Sequence, residues 1–152
     1  YTREASIPRR TETLASQAQA SVSIPYGGYG LNDRFEPRNS ADKSMQFHNW
    51  WQCLGTEEWA QYEWDQPMTL TEASVYWLEL GHYDIDFQLP VSWRLEYKAG
   101  EKWLPVKNTD PYEIAKDKYC TVHFQPVRTK ALRLTAQLQE GKSAGILEWK
   151  VR

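Results

Sequence analysis

Several features are scarce in this 152-residue chain, and each scarcity excludes something. No apolar run is long enough for a bilayer-spanning helix, so insertion into a membrane by that route is not expected. Lys and Arg total 18 against 20 Asp and Glu, a formal net charge of −2, and the basic residues form no block. The footprint needed for a phosphate backbone is missing, and nucleic acid is set aside as a partner. Cysteine is limited to Cys53 and Cys120. Two thiols make no disulfide framework, and no zinc site without histidine. Cys120 alternates with Val122 and Phe124 and is expected to be a buried thiol; pairing of the two stays open. Catalytic signatures are also missing: no Gly-x-Ser-x-Gly, no His-Glu-x-x-His, no phosphate-cradling glycine loop and no local Cys/His nucleophile pattern. Asp84 and Asp86 are the nearest thing to an acid/base pair. Glycosidase carboxylates straddle a bond at roughly 5 to 9 Å and usually come from different elements, whereas these two share one short loop. The chain is expected to be non-catalytic.

Aromatic rings are what the chain has in excess: 8 Trp, 9 Tyr and 4 Phe, more than a core of this size needs if every ring is buried. Helical periodicity is absent and period-2 alternation recurs. Ala18, Ala20, Val22 and Ile24 alternate with polar residues, as do Val91, Trp93, Leu95 and Tyr97. The same holds for Leu132, Leu134, Ala136 and Leu138, and for Leu147, Trp149 and Val151. Weaker versions run over residues 59–64, 72–79, 102–106 and 119–125. One apolar and one polar face is what an antiparallel sheet half-covered by a partner sheet requires. With turns at Ala99-Gly100, Asn108-Thr109-Asp110-Pro111 and Gly141-Lys142-Ser143, the pattern predicts an all-β fold: a β-sandwich or jelly roll of about eight short antiparallel strands. Polar residues 1–13 are expected to be a linker from a preceding domain, and residues 14–152 a single monomeric domain.

Strand phase gives homes to four indoles. Trp64, Trp77, Trp93 and Trp149 share faces with apolar neighbours and are expected in the core. Two long loop regions break the alternation, residues 25–55 and 81–90, and long loops in a compact sandwich tend to be functional. Trp50 and Trp51 lie in the first, after Phe47, His48 and Asn49. Adjacent residues in extended backbone point to opposite sides, so at least one ring is expected at the surface. An exposed indole beside amide, imidazole and carboxylate groups suits a sugar, whose ring stacks a face of C–H bonds while its hydroxyls seek planar polar partners. The alternative use of these rings is to plug the loop onto the end of the sandwich. His48 and His82 fall in candidate site loops. His123 falls on the polar face of a strand, where a plain surface role is expected.

Four segments carry a resemblance over residues 14–152. They are Leu31-Asn32-Asp33; Glu58-Trp59-Ala60-Gln61-Tyr62-Glu63-Trp64; Trp93-Arg94-Leu95-Glu96-Tyr97 with Trp103-Leu104-Pro105-Val106; and Leu132-Arg133-Leu134 with the closing Gly145-Ile146-Leu147-Glu148-Trp149-Lys150-Val151. In order and spacing the chain resembles the discoidin, or coagulation factor 5/8 type C, group, whose fold is a galactose-binding-like jelly roll. The closing run and the Trp50-Trp51 pair are similar to C-terminal accessory domains of Bacteroides-type glycoside hydrolases. That resemblance implies a carbohydrate-binding module of a secreted enzyme, periplasmic or at the cell surface, with the catalytic domain of the same polypeptide as its neighbour. It also implies a structural calcium between a loop Asp and a Glu of the last strand, matched here by Asp33 and Glu148, with Ser40 as a further oxygen. The loop reads Asp33-Arg34-Phe35 where the family usually has Asp-Gly-Asn. For sugar binding, the family places a His just after an aromatic, matched by Phe47-His48. The usual Arg and Asn of the later loop are replaced by Glu79, His82, Asp84, Asp86 and Gln88.

The expected sugar-binding face therefore comprises His48, Trp50, Trp51, Glu79, His82, Asp84, Asp86 and Phe87. Two other readings compete. An architectural domain would use Trp50 and Trp51 to pack on its catalytic neighbour. A protein- or lipid-binding discoidin-like module would present apolar spikes flanked by basic residues, yet these loops carry Asp and Glu.

Overall fold

The computed structural model describes residues 12–82 and 85–152; the expected linker lies largely outside them. Every regular element among the described residues is a strand: β1 (Gln19–Val22), β2 (His48–Asn49), β3 (Glu57–Trp77), β4 (Leu80–His82), β5 (Ile85–Phe87), β6 (Ser92–Ala99), β7 (Lys102–Pro105), β8 (Tyr119–Gln137) and β9 (Gly145–Val151). All ladders between these strands are antiparallel.

Two pairs of segments expected as separate strands are each one bent strand. β3 and β8 run side by side, with register shifts between Glu63 and Met68 and between Leu70 and Glu72. Pro67 and Pro126 fall at these bends, where a missing amide hydrogen does least harm to the ladder. Before its bend β3 pairs with β1 and with the end of β8, which continues to β6 and β7. After it, β3 pairs with the start of β8 and with β9, which carries β2. The two halves form the two layers of a β-sandwich, with the core between them.

Trp64, Trp77, Trp93 and Trp149 are all buried in that core, as strand phase predicts. Tyr62 stacks on Trp149 with ring centroids 3.9 Å apart, and its hydroxyl donates between the carbonyls of Leu31 and Trp149. Burying an indole removes about 150–250 Å² from water, roughly 4–6 kcal/mol of transfer free energy each. Val91 departs from the expected apolar face: it precedes β6 and is 59% exposed. Cys53 and Cys120 are both free thiols, with Cys120 buried as expected.

β9 is buried on both faces rather than one. Trp149 and Val151 join the main core, while Leu147 joins a second apolar cluster with Phe35, Met45, Tyr76, Leu78 and Phe87. The covering layer is the 31–47 loop, laid over the outside of β9 and tied to it by the Trp149 amide donating to the Leu31 carbonyl. Glu148 was expected to face away from the core and does so, yet it is only 1% exposed because this loop roofs it.

Candidate functional site

The end of the sandwich is organised by β2, whose His48 lies opposite Ile146 and Asn49 opposite Gly145 in β9. Alternation along this extended segment sends His48 and Trp50 inward and Asn49 and Trp51 outward. Trp50 has no exposed surface; its amide donates to the Ala144 carbonyl and its own carbonyl accepts from the Ser143 hydroxyl. The His48 ring meets it edge-on at 4.6 Å. His48 Nδ1 accepts the Gly28 amide at 2.9 Å, which leaves the ring proton on Nε2. Burial drags this imidazole down to a pKa of about 4, so it is neutral. The expectation that His48 and Trp50 contact sugar is therefore corrected: pairing with β9 turns both into the plug that fastens the loop to the sandwich. The glycines above them make this packing possible. A Cβ on Gly27 would stand 2.9 Å from His48 Nδ1, and one on Gly30 only 2.5 Å from the Gln46 carbonyl oxygen.

Outward of this plug lies a cleft of about 490 Å³ lined by Lys43, Phe47, Asn49, Trp51, Leu80 and Phe87. Trp51 is 48% exposed at its edge, while Phe87 is buried and forms wall. Asn49 Oδ1 accepts the Trp51 amide at 3.1 Å, which fixes the amide side chain beside the indole. The opposite wall is the β4–β5 hairpin. It is laced to the 142–144 segment by the Gln88 amide donating to the Ser143 carbonyl and the Ser143 amide donating to the Asp86 carbonyl. The Asp86 carboxylate is bound by Lys142 Nζ at 2.8 Å.

Of the expected sugar-binding residues, the structure brings Trp51 and Phe87 to this cleft and places Asp86 on the hairpin behind it. Glu79 is directed elsewhere: its amide donates to the Ser40 carbonyl and its carboxylate faces Lys116 at 3.7 Å. Asp84 lies outside the described residues, and His82 is placed only as the β4 residue paired with Ile85. Asn49 and Phe47 line the cleft but were not among the expected site residues, although they share the phase of Trp51. Leu80 and Lys43 gave no such signal.

The second expected site is a pair of carboxyls. Glu148 and Asp33 are hydrogen-bonded to each other; burial and then that bond push Glu148 up to about 11. Glu148 Oε2 accepts the Arg34 amide at 3.1 Å, and Asp33 Oδ1 accepts the Phe35 amide at 3.1 Å. Glu148 Oε1 is buried with no hydrogen-bond partner among the described residues. Two carboxyls that touch in a buried site must hold either a proton or a cation between them. An all-oxygen donor set of this kind fits a hard cation such as calcium. No group of three or more His, Cys, Asp or Glu suited to a metal occurs among the described residues, so carbonyls and water would complete the shell. Ser40 leaves the expected ligand set. Its amide donates to Asp117 Oδ1, its hydroxyl accepts the Asp117 amide and its carbonyl accepts from Glu79.

No protein-family profile matches the chain. Among solved structures, a chain from work on the Streptococcus pneumoniae beta-galactosidase BgaA superposes with a TM-score of 0.71 over 94% of both chains, at 17% identity. A Ruminococcus gnavus GH29 fucosidase superposes with a TM-score of 0.61 at 13% identity, over 92% of this chain and 26% of the fucosidase. Chitosan-binding module 1 of a chitosanase/glucanase from Paenibacillus sp. IK-5 does so with a TM-score of 0.55 at 12% identity, over 93% of this chain and 99% of the module. At these identities the likeness establishes the fold, a β-sandwich shared with carbohydrate-binding modules and with domains of glycoside hydrolases.

Proposed function

We propose that this domain is a non-catalytic glycan-binding module of an exported glycoside hydrolase, binding through the cleft between the 43–51 segment and the β4–β5 hairpin. The observation that carries the reading is Trp51, a half-exposed indole at the edge of a largely apolar cleft, flanked by the fixed amide of Asn49. A pyranose stacks its C–H face on such a ring and hydrogen-bonds to groups at its perimeter. The similar fold in the fucosidase fills about a quarter of that chain, which supports an accessory role beside a catalytic domain. One stacked ring and a few hydrogen bonds give weak binding, which tethering to the enzyme turns into retention on a polymer. On this reading the module would act in the periplasm or at the cell surface, where an exported enzyme meets polymeric substrate.

The Asp33–Glu148 pair is proposed to hold a structural calcium ion, which would take the place of the shared proton and neutralise both carboxylates. Asp33 and Glu148 would then fasten the covering loop to β9, and with it the segment that builds the cleft.

A glycan-array and polysaccharide screen, run with calcium and again with chelator, tests the reading. A reproducible hit abolished by Trp51→Ala supports it. No hit on a folded sample removes it in favour of the architectural role, in which Trp51 and Leu54 cover a neighbouring domain of the same polypeptide.

A further inference from the structure

Among the described lining side chains, two polar groups stand beside the Trp51 indole N–H, and both donate hydrogen bonds. Asn49 Oδ1 accepts the Trp51 amide, which occupies one of its two lone pairs, and its NH₂ is left to offer. The other group is the ammonium of Lys43, which accepts nothing. Lys43 makes no ion pair among the described residues, although acids lie nearby in the chain and in the walls. Asp42 is engaged by the Arg38 and Ser44 amides and the Ser44 hydroxyl. Asp86 is bound to Lys142, and Glu79 faces Lys116. A neutral sugar brings hydroxyls that donate as well as accept, and the described lining gives those hydroxyl protons a single side-chain oxygen, Asn49 Oδ1, already shared with the Trp51 amide. A carboxylate only accepts. It would meet an ammonium and an amide NH₂, and hydrogen bonds to a charged partner are roughly twice as strong as neutral ones.

Building on the glycan-binding reading, we propose that the cleft selects a sugar carrying a carboxylate, stacked on Trp51 with its acid group held by Lys43 and Asn49. A uronic acid and a sialic acid share this chemistry. An amino sugar, positively charged, is disfavoured by Lys43.

The test is calorimetric titration with four probes: oligogalacturonate, sialyllactose, lactose and a chitosan oligomer. The expected result is binding of one acidic probe at least about tenfold tighter than lactose, weakened by salt as an exposed charge contact must be. The acidic probe that binds identifies the source of the carboxylate. Lys43→Gln should reduce the preference for that probe over lactose about tenfold, and Lys43→Glu should exclude acidic probes altogether. Lys43 is exposed, so neither change disturbs the fold. Equal binding of lactose and the acidic probes, indifferent to Lys43→Gln, overturns the inference while leaving a glycan-binding module. Binding of the chitosan oligomer alone does the same. Failure of all four probes, together with a blank glycan array, removes both readings.

Discussion

Trp50 and Trp51 are neighbours in sequence and opposites in environment: Trp50 has no exposed surface, while Trp51 is 48% exposed. The pairing of β2 with β9 decides which is which, because it turns His48 toward the core and the two-residue period then sets the rest. Substitution at the two positions should therefore have separable effects. Trp50→Ala leaves a cavity beside His48 and should lower stability by about 3–5 kcal/mol, on the order of 10 °C in melting temperature. Trp51→Ala should change stability by no more than about 0.5 kcal/mol and abolish retention on glycan. Thermal melts and affinity electrophoresis of both variants measure this. A Trp51→Ala protein that still binds would mean that the indole is not the platform.

The alternation of residues 93–97 and 132–138 was sufficient to place Trp93, Leu95, Leu132 and Leu134 in the core, since each strand meets solvent on one side and the partner layer on the other. Two features escaped that logic. The bends of β3 and β8 contain proline and a shift of register, and along a sequence these look the same as the end of one strand and the start of the next. The burial of Glu148 depends on a loop whose Arg34 is 114 positions away, and no local pattern reports a cover that distant. The site was half-legible for the same reason. Phase separates Trp51 from Trp50 but cannot choose between inside and outside without knowing that β9 is the partner.

On the opposite side of the layer containing β6 and β7, the guanidinium of Arg133 lies 4.3 Å from the ring centroids of both Trp59 and Trp103. Its Nε and Nη2 also donate to Gln61 Oε1, and Gln61 is nearly buried. Arg133→Ala removes two cation–π contacts and leaves that amide oxygen without its donor. A loss of about 1.5–3 kcal/mol is expected. Arg133→Lys should recover only part of it, because an ammonium cannot spread its charge over two rings and grip the amide with two donors. Urea denaturation of the three proteins checks the order. Equal stability of Arg133→Ala and wild type would show that the stack contributes nothing.

His123 joins three elements: its Nδ1 contacts Asp110 Oδ2 at 2.5 Å and its Nε2 contacts Glu72 Oε1 at 3.0 Å. The hydrogen bond to Asp110 raises His123 above its ordinary value of 6.5, and the same bond holds Asp110 below 3.8. A raised histidine stabilises the fold in its charged form, so the contribution is complete below pH 6.5 and is lost as pH rises through the higher folded value. The depressed carboxyl acts in the other direction: its contribution is present above pH 3.8 and is lost as pH falls through the lower folded value. Stability from this cluster should therefore be greatest between about pH 4 and 6.5 and decline as pH rises beyond 6.5 through the raised folded value of His123. His123→Gln should flatten that alkaline decline in melting temperature. An unchanged pH profile would show that the contacts are too solvated to matter.

The Asp33–Glu148 pair makes the calcium proposal testable without any sugar. Bound calcium stabilises only the folded chain, because unfolding separates a loop residue from one in the last strand. At a free concentration 100-fold above the dissociation constant the gain is about 2.7 kcal/mol, roughly 5–10 °C in a domain of this size. Melting the domain in calcium and again in excess chelator should show that difference. Glu148→Gln should erase it, because the amide keeps an oxygen and the shape of the side chain but loses the charge that balances the cation. The comparison rests on the calcium-dependent shift within each protein, so any change in baseline stability caused by the substitution does not enter. Magnesium should substitute poorly, since it demands tighter octahedral geometry and gives up its water reluctantly. If calcium and chelator give the same melting temperature in the wild-type domain, the two carboxyls hold a shared proton, and the loop over β9 is fastened by that hydrogen bond and by the packing of Phe35 and Leu147.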